Sequence, residues 1–151
     1  MRAELTVEIA RPPEEVFAYL TDVSHLPEWQ AGVLFAQREG DRIRESRTLF
    51  GRELHTTLEV VENDPPSCFA LRALDGPLRF TVRHLLEPSG GGTSLNVVAE
   101  ADAGLLPGFA SGLVARRAEK QFRGDFERLK ELLESSPPRR PPGRSTSRDG
   151  R

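Results

Sequence analysis

Residues 108–134 read GFASGLVARRAEKQFRGDFERLKELLE, and the periodicity of this stretch decides the fold. Ala115, Ala118, Phe122, Phe126, Leu129 and Leu133 recur at steps of three and four residues, with Arg, Lys and Glu between them. That spacing predicts an amphipathic helix. From Phe109 to Glu134 it would run roughly 39 Å at about 1.5 Å per residue, against a radius of gyration of about 14 Å for a compact domain of this size. It must therefore cross the whole domain. Its C-terminal half carries space-filling side chains. Its approach from Gly104 and its first turns are small or structure-breaking: Pro107, Gly108, Ala110, Ser111, Gly112, Ala115 and Ala118. The expectation is a helix that clamps a sheet with its second half and roofs a cavity with its first.

The chain before it reads mostly as strands. Leu5, Val7 and Ile9 alternate with Glu4, Thr6 and Glu8, the period of a strand with one buried face. Arg11-Pro12-Pro13 ends that strand, and Pro13 with Glu14 and Glu15 suits a first helical turn, where φ is preset and acid meets the positive end of the dipole. Val16, Phe17 and Leu20 supply its buried side. A second short helix follows from Asp22, an N-cap, through Val23 and Leu26 to Trp29.

From Ala31 to Asp102, extended runs alternate with turn chemistry. The runs are Val33–Arg38, Ile43–Leu49, Glu53–Glu62, Ser67–Ala73, Leu78–Glu87 and Thr93–Asp102, which makes seven strands joined as an antiparallel meander. Leu54, Thr56, Leu58 and Val60 share one strand face, and Leu95, Val97, Ala99 and Ala101 another. A sheet apolar on one side only needs one cover, and the closing helix is available to provide it. The fold class is α+β, with a curved sheet wrapped around a long C-terminal helix.

Composition narrows the function classes. Residues 1–134 carry 16 basic and 22 acidic side chains, whereas 135–151 carry five Arg against Asp149. The folded part has no positive excess to attract nucleic acid. The Pro- and Arg-rich stretch 135–151 has no apolar pattern and is expected to be a disordered tail outside a domain spanning 1–134. Cys68 is the one cysteine, so no internal disulfide forms and a reducing cytoplasm is the expected location. No apolar run reaches membrane-span length, and the alternating MRAELTVEIA is not a signal-peptide core. The excess of Arg over Lys, 19 to 2, points to a GC-rich bacterial genome.

The order of strand, two short helices, six-stranded meander and long helix resembles the START-like superfamily, also called helix-grip or SRPBCC. The segments RPPEEVFAYLTDVSHLPEW (11–29), TTLEVVENDPP (56–66), LEPSGGGTSL (86–95) and FERLKELLE (126–134) are similar to its polyketide cyclase/dehydrase and lipid-transport branch. The likeness spans about Leu5 to Glu134. It implies a cavity between sheet and last helix that holds a hydrophobic small molecule such as a lipid, polyketide or isoprenoid. No catalytic motif of the branch can be matched residue by residue.

Chemistry-bearing residues are few. His25, His55 and His84 are the only histidines. His55 and Glu59 lie on a strand, where a spacing of four is about 13 Å and cannot chelate, so no metal and no cofactor are expected. His84 shares a parity with Phe80, Val82 and Leu86 and is therefore placed toward the cavity. Ser111 in GFASG is not a nucleophile elbow, and Gly90-Gly91-Gly92-Thr93 is a hairpin turn, not a phosphate loop. Arg44, Arg47, Arg79 and Arg83 read as a solvated outer face, and Cys68 as a buried small hydrophobe. Pro138–Pro141 matches PxxP inside the tail, where a solvated segment is the expectation.

The expected ligand cavity comprises Trp29, Leu58, Phe69, Phe80, Val82, His84, Val97, Phe109, Gly112, Leu113 and Ala115. The expected activity is non-catalytic binding or transport of a hydrophobic ligand by a monomer or homodimer. A polyketide aromatase/cyclase or dehydratase is the alternative, for which His84, His55 and Tyr19 are the acid–base candidates. A regulatory or stress-related interaction module is the third reading.

Overall fold

In the computed structural model, residues 1–49, 51–76, 78–102 and 112–135 are described. The elements run β1 (Arg2–Ile9), α1 (Pro13–Thr21), a 3-10 turn (Val23–His25), α2 (Leu26–Trp29), β2 (Val33–Glu39), β3 (Arg42–Leu49), β4 (Arg52–Asp64), β5 (Cys68–Ala73), β6 (Arg79–Ser89), β7 (Gly92–Asp102) and α3 (Gly112–Ser135). The strands form one seven-stranded antiparallel sheet in the order β1-β7-β6-β5-β4-β3-β2. β1 thus leaves the meander and returns along its last strand, and α1 and α2 occupy the connection between the two sheet edges. The expected α+β class, the meander and the two short helices are all present.

Alternation decides which side of each strand is buried. Ala3, Leu5, Val7 and Ile9 of β1 lie inside, facing Leu95 and Val97 of β7. The closing hairpin needs its glycines: Gly90 and Gly91 sit at φ of +55° and +85°, and a Cβ on Gly92 would lie 2.3 Å from the Ile9 carbonyl oxygen. Two register shifts bend the sheet, between Val33 and Phe35 on β2 and between Val60 and Glu62 on β4. The second reverses the parity of β4, so that Val60 opposes Leu71 inside while Asn63 opposes Phe69.

α3 lies across the concave face as the periodicity predicts. Phe126, Leu129 and Leu133 are buried and pack with Val16, Phe17 and Leu20 of α1, Leu26 and Trp29 of α2 and the inner face of the sheet. Its C-terminal end is tied down by polar contacts: Glu134 Oε2 accepts from the Ala10 N–H at 2.9 Å and from Lys130 Nζ at 2.9 Å, and Arg11 Nη2 donates to the Glu134 carbonyl at 3.0 Å. The described helix begins at Gly112. The expected lid residues Gly104 to Ser111, Phe109 among them, lie outside the described residues, as does the tail beyond Ser135.

Candidate ligand-binding cavity

The concave sheet and the middle of α3 do not meet everywhere, and a cavity of about 210 Å³ lies between them. One water needs roughly 10–15 Å³ of such space, so the void is far larger than an ordinary packing defect. Its walls are mainly apolar. Ile43, Leu54, Leu58, Phe69, Leu71, Phe80, Val82, Ala99 and Ala101 contribute from the sheet, Leu20, Leu26 and Trp29 from the short helices, and Ala118, Phe122 and Phe126 from α3. Each strand residue reaches the wall because it shares the inward parity of its strand.

Of the residues expected at the cavity, Trp29, Leu58, Phe69, Phe80, Val82 and His84 line it. Val97 does not: it is wholly buried in the solid core beside Leu95, and β7 meets the void two and four residues later, at Ala99 and Ala101. Gly112, Leu113 and Ala115 are also absent from the wall. Leu113 is 69% exposed, and a Cβ on Gly112 would meet nothing within 4 Å. The helix presents one face to the sheet, and that face runs through Ala118, Gln121, Phe122, Asp125 and Phe126. Of the small residues expected to roof the cavity, Ala118 lines it, and Gly104 to Ser111 lie outside the described residues.

The three acid–base candidates occupy three different environments. His84 is fully inside, with Nδ1 donating to the Phe69 carbonyl oxygen at 2.9 Å and ring contacts to Phe69 and Phe126. Since a carbonyl can only accept, Nε2 carries the lone pair. Desolvation pushes its pKa down to about 4, opposed only by the Phe69 hydrogen bond, so the ring is neutral at physiological pH. His55 is turned to solvent, its side chain 75% exposed and 3.4 Å from Glu53. Tyr19 stacks on His25 with centroids 4.3 Å apart and donates to Glu28 Oε1 at 2.6 Å; burial, followed by Glu28, pushes its pKa up. Neither His55 nor Tyr19 is on the cavity wall.

The polar part of the wall lies elsewhere. On β3, Ile43, Glu45, Arg47 and Leu49 share the inward parity, and all four line the cavity. Arg47 therefore does not belong to the solvated outer face on which it was expected. It grips Glu45 through Nε to Oε2 at 2.7 Å and Nη2 to Oε1 at 2.9 Å, and Nη2 also reaches Gln30 Oε1 at 3.0 Å. The Glu45 side chain is 1% exposed and that of Arg47 27%, so the pair is bidentate and its carboxylate is withdrawn from water. Facing it from α3 is Asp125, whose Oδ1 accepts from the Ala31 N–H at 3.1 Å. Desolvation raises its pKa to about 6, against the lowering effects of the Ala31 hydrogen bond and of Arg47 and Arg128. The Trp29 indole Nε1 is buried with no hydrogen-bond partner among the described residues. Parity with Ile43 was the signal that could have placed Glu45 and Arg47 inside.

Other chemistry is sparse. Cys68 is buried, and burial with the Glu62 hydrogen bond pushes its thiol up to about 11, which leaves it inert. Among the described residues no three His, Cys, Asp or Glu side chains gather as a metal site, and no helix is long and apolar enough to cross a membrane.

Comparison with known proteins agrees with this architecture. A conserved protein from Geobacillus kaustophilus superposes with a TM-score of 0.77 at 17% identity, covering 88% of this chain and 95% of that one. A START superfamily protein from Mycobacterium smegmatis gives 0.71 at 19% identity, with 87% and 98% covered. The di-domain ARO/CYC BexL from the BE-7585A biosynthetic pathway gives 0.69 at 21% identity, with 89% of this chain matching 46% of that one. At these identities the likeness is one of fold. No curated protein sequence is a significant match. The family described as polyketide cyclase / dehydrase and lipid transport matches residues 1–134. With that match over 134 of 151 residues, the protein belongs to the family described as polyketide cyclase / dehydrase and lipid transport.

Proposed function

We propose that this protein binds a hydrophobic small molecule, without transforming it, in the cavity between the sheet and α3. The observation that carries the reading is the cavity itself, about 210 Å³ in volume and walled mostly by aliphatic and aromatic side chains. Burial of apolar ligand surface there is worth about 25 cal/mol per Å², and a few polar groups would set the ligand's orientation. The volume suits one ring system or one short chain. The separation of His84, His55 and Tyr19 supports binding over catalysis. So does the state of His84, which is neutral, packed between rings and hydrogen-bonded to the backbone. Titration of the full chain with an apolar environment-sensitive fluorophore tests the reading: saturable uptake supports it, and no uptake refutes it.

A second reading has one specific observation in its favour. Polar side chains do converge on the cavity wall, at Glu45, Arg47, Gln30 and Asp125, as a cyclase or dehydratase acting on a polyketide-like substrate would need. Asp125 is then the residue to test for proton transfer, because its raised pKa leaves it able to exchange a proton near neutral pH.

A further inference from the structure

Few large apolar side chains are exposed among the described residues, and two of them are neighbours: Leu34 at 55% and Phe35 at 54%. Both lie on β2, the last strand in the sheet order, so no further strand flanks them. Phe35 pairs with Ser46, whose parity is opposite to that of the cavity residues Ile43, Glu45 and Arg47. The Phe35 ring therefore stands on the convex face of the sheet, away from the cavity. Beside it a broad, shallow groove of about 380 Å³ crosses β2, β3 and β4. Its walls include Gln37, Arg44, Ser46, His55 and Thr57, with Asp75 from the β5–β6 connection.

Two charges in this groove are left over. On the strands beyond it the convex face carries matched pairs, Arg72 with Glu59, Arg83 with Glu62 at 3.1 Å and Arg2 with Glu100 at 3.8 Å. Arg44 has no ion-pair partner among the described residues. Asp75 accepts the Thr57 N–H at 2.7 Å through Oδ1 and has no cation beside it among the described residues. Thr57 lies directly opposite Arg44 in the β3–β4 register, so the two unmatched charges flank one residue without pairing with each other. An apolar knob, a groove beside it and one unmatched charge of each sign make a patch complementary to itself. A two-fold axis uses such a patch, because whatever a residue of one copy meets, its counterpart meets in return.

We propose that this convex patch is the interface of a two-fold homodimer. Phe35 of each copy, with Leu34 beside it, enters the groove of the other, and Arg44 pairs with the partner's Asp75. The groove is about three strands wide and five residues long, roughly 14 Å by 16 Å at ~4.8 Å between strands and ~3.3 Å per residue. That is smaller than a standard protein–protein interface, so the dimer is weak and depends on concentration in the micromolar range. The cavity stays free in both copies, because patch and cavity lie on opposite faces of the sheet.

Sedimentation velocity of the full-length protein, from low micromolar to several hundred micromolar, tests the interface. The expected result is a monomer–dimer equilibrium that Phe35→Asp and Arg44→Glu each weaken by about tenfold or more. Val61→Asp, which changes an exposed apolar residue of β4 that is not on the groove wall, should leave the equilibrium unchanged. All three side chains are exposed, so the variants should melt with the parent, and a melting curve on each sample checks this. A parent that stays monomeric throughout overturns the proposal. So does a dimer that Phe35→Asp leaves intact, or one that Val61→Asp weakens equally. A dimer that Phe35→Asp dissolves and Arg44→Glu does not supports the knob and groove and overturns the charge pairing.

Discussion

Arg47 holds Glu45 in two parallel hydrogen bonds of 2.7 and 2.9 Å on the wall of an otherwise mainly apolar cavity. Both side chains come from one strand, two residues apart, and both face inward. An ion pair with a buried carboxylate gains little over a hydrophobic replacement of the same volume, but removing its arginine leaves the buried charge of Glu45 alone. Arg47→Met should therefore cost about 3–5 kcal/mol in chemical denaturation. The double variant Glu45→Leu/Arg47→Met should recover most of that loss. Equal losses in the single and double variants would show that the pair is not the source of the cost.

The cavity wall on α3 can be mapped by adding bulk. Ala118→Trp projects an indole into the void and should lower affinity for an apolar probe by more than tenfold, a loss of about 1.4 kcal/mol or more. Gly112→Phe places its ring where no described residue beyond its own turn of helix lies within 4 Å of a new Cβ, and should leave affinity within about twofold. Probe titrations of the two folded variants make the comparison.

Phe126 is the pivot of the clamp, 4% exposed and in ring contact with Trp29, His84 and Phe122. Phe126→Ala should destabilise the fold by about 3–5 kcal/mol, measured by thermal or urea unfolding. An unchanged melting curve would place the clamp elsewhere.

Asp125 and His84 give stability a pH dependence of opposite sign. Burial raises the Asp125 pKa from 3.8 to about 6, so its ionised form carries a penalty that is fully present above pH 6 and disappears as pH falls toward 3.8. Asp125→Asn should then be more stable than the parent above pH 6, by about 1–2 kcal/mol once solvent screening is allowed for, and the gap should close near pH 4. Burial lowers the His84 pKa from 6.5 to about 4, so the stability of its neutral ring is complete above 6.5 and is lost as pH falls through this window. Unfolding curves of parent and Asp125→Asn across that range test the first sign directly.

Much of this architecture is legible in local pattern. The alternation in β1 and β7 and the three-and-four stripe of α3 each name an element and its buried face, and the hairpin glycines mark where β6 turns into β7. The cavity wall was legible wherever parity alone decides it, as for Phe80, Val82 and His84. Arg47 was misplaced because charge was weighed above parity: Arg44 and Arg47 look alike in composition, yet only Arg47 shares the parity of Ile43. Gly112 and Ala115 were misplaced for a different reason. Where a long helix meets the void depends on the curvature of the sheet, which is set by register shifts at Val33/Phe35 and Val60/Glu62 that no local period reveals. Tyr19 sits between the buried Phe17 and Leu20, and helical spacing alone does not say that its hydroxyl turns out to Glu28.

On the binding reading proposed above, the cavity beneath α3 holds a small hydrophobic guest. Native mass spectrometry of the purified full-length protein, alongside Ala118→Trp, tests it most directly. The expected result is a retained or readily taken-up small molecule on the parent and none on the variant. A parent that stays at its bare mass after incubation with octanol, or a variant that carries the same adduct, would contradict it.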